Sequence, residues 1–260
     1  MSDANLISVD SLTMRFGGLT ALDELHMTVR QGEILGLIGP NGSGKTTFFN
    51  VLTGLYKASS GRIRLAGEDV IGMTPQAIYR SGVARTFQRS RLSLSLTVFD
   101  NVVIGDYQHM HHGLIFNLLR RKAFKAEYDA YVEKVRDLLE IFSPPLVDHL
   151  FDPVDTFTMI DRRRIEVCRA LMSQPRLLLL DEPSAGMTHD ETDELMQDIL
   201  QVRGKMKDLS VVLIEHEMNV IERVTDRCVV LNYGKKIAEG SYAQITSDPN
   251  VQTAYLGEDA

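Results

Sequence analysis

Gly39-Pro40-Asn41-Gly42-Ser43-Gly44-Lys45-Thr46 is the stretch on which the fold turns. It fits G-x-x-x-x-G-K-[ST], in which glycines let the backbone approach phosphate oxygens and successive N–H groups converge at a helix start. In such a loop the lysine reaches the outer phosphates and the Thr46 hydroxyl binds Mg²⁺. Thr47 completes the candidate phosphate site. The flanks agree: Ile34–Ile38 is an apolar run suited to a buried strand, and Phe48, Phe49, Val51 and Leu52 give the next segment an apolar helical side. Gly54 is placed to cap that helix. A glycine-rich turn with a chance lysine is the plain alternative, and the position between strand and helix argues against it.

Three more apolar runs, Leu177–Leu180, Val211–Ile214 and Arg227–Leu231, read as buried parallel strands, with Asp190–Lys205 as a helix between the first two. The first ends in Asp181-Glu182. Neighbours in an extended chain point in different directions, so Asp181 is free to hold the magnesium shell while Glu182 polarises an attacking water as general base. The second ends in Glu215-His216. A lone histidine at a strand end is ordinarily a surface or capping residue. Here three strands bring the phosphate loop, the carboxylates and His216 to their carboxyl ends, where open α/β sheets bind ligands.

Around this centre, Leu6, Ile7 and Val9, then Leu12–Phe16, then Leu22–Val29 read as short strands with Gly17-Gly18 as a turn, and 61–66 alternates like a half-buried strand. From about 90 to 172 strong strands are lacking. Phe124, Tyr128, Val132, Val135, Leu139 and Phe142 recur at helical spacing over 119–142, and Pro144-Pro145 ends that run. The fold class is α/β: a phosphate-loop core with a mostly parallel sheet, an N-terminal antiparallel β subdomain, and an inserted helical subdomain. The core is expected over 1–88 and 173–260, and the helical insert over 89–172.

The 260 residues carry a net charge of −7, which disfavours a nucleic-acid partner held by a general basic surface; Arg162-Arg163-Arg164 reads as a solvated helix face. Cys168 and Cys228 suit a buried helix and a strand in a reducing compartment. His109, His111 and His112 read as solvated loop. The first residues lack a signal-peptide pattern, and the longest aliphatic run is far too short to cross a bilayer.

These residues in this order resemble an ATP-binding-cassette ATPase over about residues 6 to 257. The resemblance implies ATP and Mg²⁺ as ligands. It gives Phe16 as the aromatic that stacks on adenine, with a buried strand aromatic as the alternative. It gives Gln88 as the glutamine that touches magnesium and reports to a membrane partner, with a solvated surface glutamine as the alternative. Asp181 and Glu182 match the strand-end carboxylates, Ser184–Thr188 the loop across a dimer seam, and His216 the histidine at the γ-phosphate. Arg15-Phe-Gly-Gly-Leu-Thr-Ala21, Arg85-Thr-Phe-Gln88, Leu213-Ile-Glu-His-Glu-Met218 and Ala254-Tyr-Leu-Gly-Glu258 resemble the subfamily that imports branched-chain amino acids and related amides. That subfamily implies integral membrane permease subunits as partners and a place at the inner face of the membrane.

One motif departs. The family signature Leu-Ser-Gly-Gly-Gln falls on Phe157-Thr158-Met159-Ile160-Asp161. In the family this stretch closes over ATP held by a second subunit, so Ile160 is expected to crowd the γ-phosphate. A carboxylate from Asp161 at about 4 Å would repel it by roughly 4 kcal/mol at an effective dielectric near 20. A heterodimer with a second ATPase subunit is therefore expected over a homodimer. The competing readings are a structural or regulatory ATP-binding subunit with little turnover, and an ABC protein of translation or DNA repair. The latter class usually has tandem cassettes or coiled-coil insertions.

Overall fold

The computed structural model describes residues 5–88, 90–110 and 121–256. In chain order the strands are β1 (Asn5–Phe16), β2 (Leu19–Arg30), β3 (Ile34–Ile38), β4 (Ser60–Leu65), β5 (Glu68–Asp69), β6 (Val83–Arg85), β7 (Leu177–Asp181), β8 (Ser210–Ile214), β9 (Arg227–Asn232) and β10 (Lys235–Gly240). The helices are α1 (Lys45–Leu52), α2 (Pro75–Arg80), α3 (Val98–Val103), α4 (Arg121–Phe142), α5 (Pro144–Val147), α6 (Met159–Leu171), α7 (His189–Lys205), α8 (Met218–Val224), α9 (Tyr242–Thr246) and α10 (Pro249–Leu256).

Two compact units result. The first comprises Met1–Arg85, Arg176–Pro183 and Met206–Ala260, and the second Thr86–Pro175 and Ser184–Lys205. The expected boundaries differ from this in one substantial way. Ser184–Lys205, assigned from sequence to the core, belongs to the helical unit. The reason is α7: it is amphipathic, and its buried side (Thr192, Leu195, Met196, Ile199 and Val202) packs on α4 and α6.

In the first unit an antiparallel sheet, ordered β2-β1-β4-β5, accompanies a six-stranded sheet ordered β10-β9-β3-β8-β7-β6. The larger sheet is parallel except for β10, which returns from β9 across a tight turn at Tyr233-Gly234. Both central residues there have positive φ, as the preferred two-residue hairpin turn requires. Every residue of β3, β7 and β8 is buried, which explains their unbroken apolar sequence. The two short strands expected over 6–16 are one long strand. Irregular register between Val9 and Leu12, with Ser11 at φ +46°, interrupts its alternation and hides its continuity in the sequence.

In the second unit α4 buries Val135, Leu139 and Phe142 towards its end, while Phe124 and Tyr128 stay exposed. It stops at Phe142, and Pro144 then starts α5, where a missing N–H costs nothing. Cys168 and Cys228 are buried free thiols. His109 pairs with buried Asp106 (2.5 Å), while His111 and His112 lie outside the described residues. Among the described residues, no helix is long and apolar enough to cross a membrane.

Candidate functional site

β3 delivers the chain into the loop Gly39–Gly44, and α1 begins at Lys45. Gly39 has φ +145°, and a Cβ there would lie 2.0 Å from the carbonyl oxygen of Leu231 on β9. Gly44 has φ +107°, and its Cβ would meet the Ala21 carbonyl oxygen of β2 at 2.6 Å. Neither position admits a side chain. The turn after β9 is bound in as well: Gly234 N–H donates to Ser43 O (2.9 Å), and Asp23 N–H of β2 donates to Gly234 O (3.0 Å). The cradle is thus set by its neighbours as much as by its own glycines.

Lys45 is buried and curls back into this cradle, donating from Nζ to Gly39 O (2.6 Å) and Pro40 O (2.9 Å). Its charge therefore sits at the loop's centre, where phosphate oxygens would be far stronger acceptors than neutral carbonyls. Thr46 is exposed at the first turn of α1, and Thr47 is partly buried beside it. Asn41 to Thr47 and Glu182 line a common cleft. Glycine cradle, central ammonium and helix N-terminus fit a polyphosphate.

The carboxylates at the end of β7 separate as expected. Asp181 is buried, and its Oδ2 accepts from Arg85 Nη2 at 2.6 Å. Glu182 leaves the strand with φ +48°, its N–H held by Ile214 O (2.9 Å), and its side chain turns to the cleft. There Glu182 Oε1 and His216 Nε2 are 2.8 Å apart. β7 and β8 run in parallel register with Asp181 opposite Ile214, so the two chains leave the sheet together and place this pair. A carboxylate bonded to an imidazole at the mouth of a phosphate cleft has the composition of a water-activating site.

Phe16 closes β1, exposed, with its ring edge-on to Tyr56 at 5.3 Å. It is an available aromatic surface rather than a buried strand aromatic. Gln88 lies in the second unit, just beyond β6, where its backbone carbonyl accepts from Arg163 (3.3 Å).

The site also contains a residue whose role the sequence did not disclose. Arg85 on β6 bridges Asp181 to α1: it donates to Asn50 Oδ1 (2.7 Å) and lies over the Phe49 ring (5.3 Å). The clue needed was that β6 pairs with β7, setting Arg85 opposite Leu179.

The 157–161 stretch is folded differently from its sequence expectation. Ile160 does not project to meet a partner's phosphate; it is 7% exposed, folded beneath the first turn of α6. Asp161 is likewise engaged within its own unit. Its N–H and Thr158 Oγ1 form the helix cap, its Oδ2 accepts the Thr158 hydroxyl (2.6 Å), and Oδ1 lies 3.4 Å from Arg164.

Phosphate loop, strand-end carboxylates and strand-end histidine on a mixed α/β core define a phosphate-loop ATPase. Known proteins specify it further. Residues 22–185 match the family described as ABC transporter, and residues 235–260 match the family described as branched-chain amino acid ATP-binding cassette transporter. The high-affinity branched-chain amino acid transport ATP-binding protein LivG of Escherichia coli (strain K12) is 39% identical over 253 residues, covering 97% of this chain and 98% of that protein. BraF of Pseudomonas aeruginosa, with the same description, is 38% identical over 253 residues, covering 97% of this chain and 98% of that protein. The crystal structure of the ADP conformation of an ATP-binding cassette of an ABC transporter superposes with TM-score 0.84 at 29% identity, covering 98% of this chain and 99% of that one. The chain belongs to the ABC transporter family, as one of its nucleotide-binding, ATP-hydrolysing subunits.

Proposed function

We propose that this chain is the ATPase of an importer for branched-chain amino acids or related small amide or carboxylate solutes. The observation that carries the solute class is the match of residues 235–260, a segment outside the phosphate site, to the branched-chain amino acid family, alongside relatives of that description over nearly the whole chain. In this reading Gly39–Thr47 hold the ATP phosphates and Phe16 offers a stacking face to adenine. Thr46, Asp181 and Gln88 are the residues that would hold Mg²⁺, and the ion would supply charge neutralisation at the phosphates. Glu182 orients and deprotonates the attacking water, and His216 holds that carboxylate in place. The chain works at the inner face of the membrane, bound to permease subunits.

The second ATPase subunit is a different chain. What supports this is the use of the signature region for internal purposes: the Thr158 hydroxyl is given to Asp161, whose carboxylate also meets Arg164. The half-site covered by this signature then turns over slowly, while this chain's own phosphate loop works against a better signature on its partner. Co-expression with permease subunits and a second ATPase, followed by radiolabelled leucine uptake and ATPase assay in vesicles, tests both claims. Uptake of leucine, isoleucine or valine that Lys45→Ala abolishes supports the function. Full ATPase activity and uptake with this chain as the sole ATPase subunit would refute the heterodimer.

A further inference from the structure

Buried ion pairs are seldom kept for stability alone, because well-packed apolar residues of similar volume usually do as well or better. The pair Arg163–Glu166 on α6 is such a case: Nη1 to Oε2 is 2.7 Å, and the side chains are 7% and 2% exposed. Both ends of the pair reach beyond the helix, and both reach the segment that carries Gln88. Arg163 donates to Phe87 O (3.1 Å) and Gln88 O (3.3 Å). Glu166 Oε1 accepts the Arg91 N–H at 2.8 Å. Arg169, one turn further along α6, donates to Arg91 O (2.8 Å), and the Arg91 guanidinium lies 3.9 Å over the Phe87 ring.

The polarity of these contacts is specific. A guanidinium can only donate and an ionised carboxylate can only accept, so Arg163 suits the two carbonyls and Glu166 suits the amide. The segment is therefore gripped on both sides of Gln88 by one helix. That helix opens with Thr158–Asp161, the stretch matching the family's signature.

We propose that Arg163 and Glu166 are positioning residues for Gln88, tying the loop that bears it to the signature helix so that the two move as one body. The role of Gln88 and the docking of α6 on a second subunit rest on the importer reading above; the grip itself does not. Engagement of α6 by the neighbouring subunit would then shift Gln88 directly, without passing through the phosphate loop.

The test uses the double variant Arg163→Met/Glu166→Met, which removes the contacts of this pair, leaving that of Arg169, without stranding a buried charge, and the swap Arg163→Glu/Glu166→Arg, which restores the pair with reversed polarity. Amide exchange is followed in the purified chain. The expected result is a melting temperature at or above the parent's for the double variant, exchange at the Arg91 amide about tenfold faster, and unchanged exchange along α6. The swap is expected to leave that amide unprotected, whereas Glu166→Gln, which keeps an acceptor, protects it. In the assembled transporter the double variant keeps its ATP affinity but loses most of the stimulation of ATPase by leucine, isoleucine or valine. Unchanged protection at Arg91, or a parent-like stimulation ratio, would overturn the proposal. A parent that no solute stimulates would count against the importer reading, and the exchange data would then decide the grip alone.

Discussion

Replacing Arg85 by methionine puts the architecture of the β7 carboxylates to a quantitative test. Arg85 and Asp181 are 5% and 6% exposed, and their contact is 2.6 Å, so the variant leaves Asp181 as an uncompensated carboxylate inside the sheet. Removing one member of a buried pair costs about 3–5 kcal/mol. The lost donor to Asn50 Oδ1 acts in the same direction but is coupled to the first loss, so the two are not summed. For a protein of this size a loss of about 4 kcal/mol lowers the melting midpoint by roughly 8–16 °C. The assay is thermal and urea unfolding without nucleotide at neutral pH, for Arg85→Met, Asp181→Ala and the double variant. A coupling energy of about 2 kcal/mol or more between the two sites is expected, with the double variant more stable than the sum of the singles predicts. An Arg85→Met unfolding free energy within about 1 kcal/mol of the parent's, or a strictly additive cycle, would refute the assignment.

Other expectations follow from single positions. Gly39→Ala places a Cβ against Leu231 O, 2.0 Å away in the parent geometry, so titration with fluorescent ATP should show loss of nucleotide binding even if the protein folds. Glu182→Gln should retain ATP affinity while single-turnover hydrolysis falls about 10²–10⁴-fold; retention of more than a tenth of the rate would exclude Glu182 as the base. Ile160→Gly, which makes position 160 resemble the family pattern, removes a buried side chain and should destabilise the chain by about 2–5 kcal/mol in urea melts, whatever it does to turnover. Burial pushes the Cys168 thiol well above its ordinary range. Its folded-state affinity for the proton exceeds the unfolded one, so its contribution is complete below about pH 8.5 and is lost above it at up to about 1.4 kcal/mol per pH unit. Urea midpoints from pH 7.5 to 10 should therefore fall more steeply for the parent than for Cys168→Ala; parallel slopes would contradict this.

The phosphate loop was legible because its chemistry is local: eight consecutive residues specify both the conformation and the ligand. Asp181, Glu182 and His216 were legible for a related reason, since each ends an apolar run whose burial the sequence announces. Arg85 was not, because its meaning depends on which strand lies next to β6, and that partner is 96 residues away. The same limit misplaced Ser184–Lys205: an amphipathic period shows that α7 has a buried face but not what covers it. Ile160 is a different failure. It falls on the same helical face as Val167 and Leu171, both buried, so spacing within α6 already held the answer that family comparison obscured. Likewise the basic run 162–164 is no solvated face: Arg163 is buried and Arg164 meets Asp198 at 2.8 Å.

The carbonyl oxygen of Ala21 lies where side chains at Gly44 (2.6 Å) and Gly234 (2.7 Å) would otherwise stand. Two glycines remote from each other in the chain thus answer to a single backbone atom of a strand that supplies no side chain to the phosphate cleft. For protein engineering, this makes the eight-residue motif non-portable: grafted onto another scaffold without β2 and the turn after β9, it would keep its sequence and lose its mould. It also means that alleles altering residues 20–23 could abolish nucleotide binding while every recognised motif remained intact.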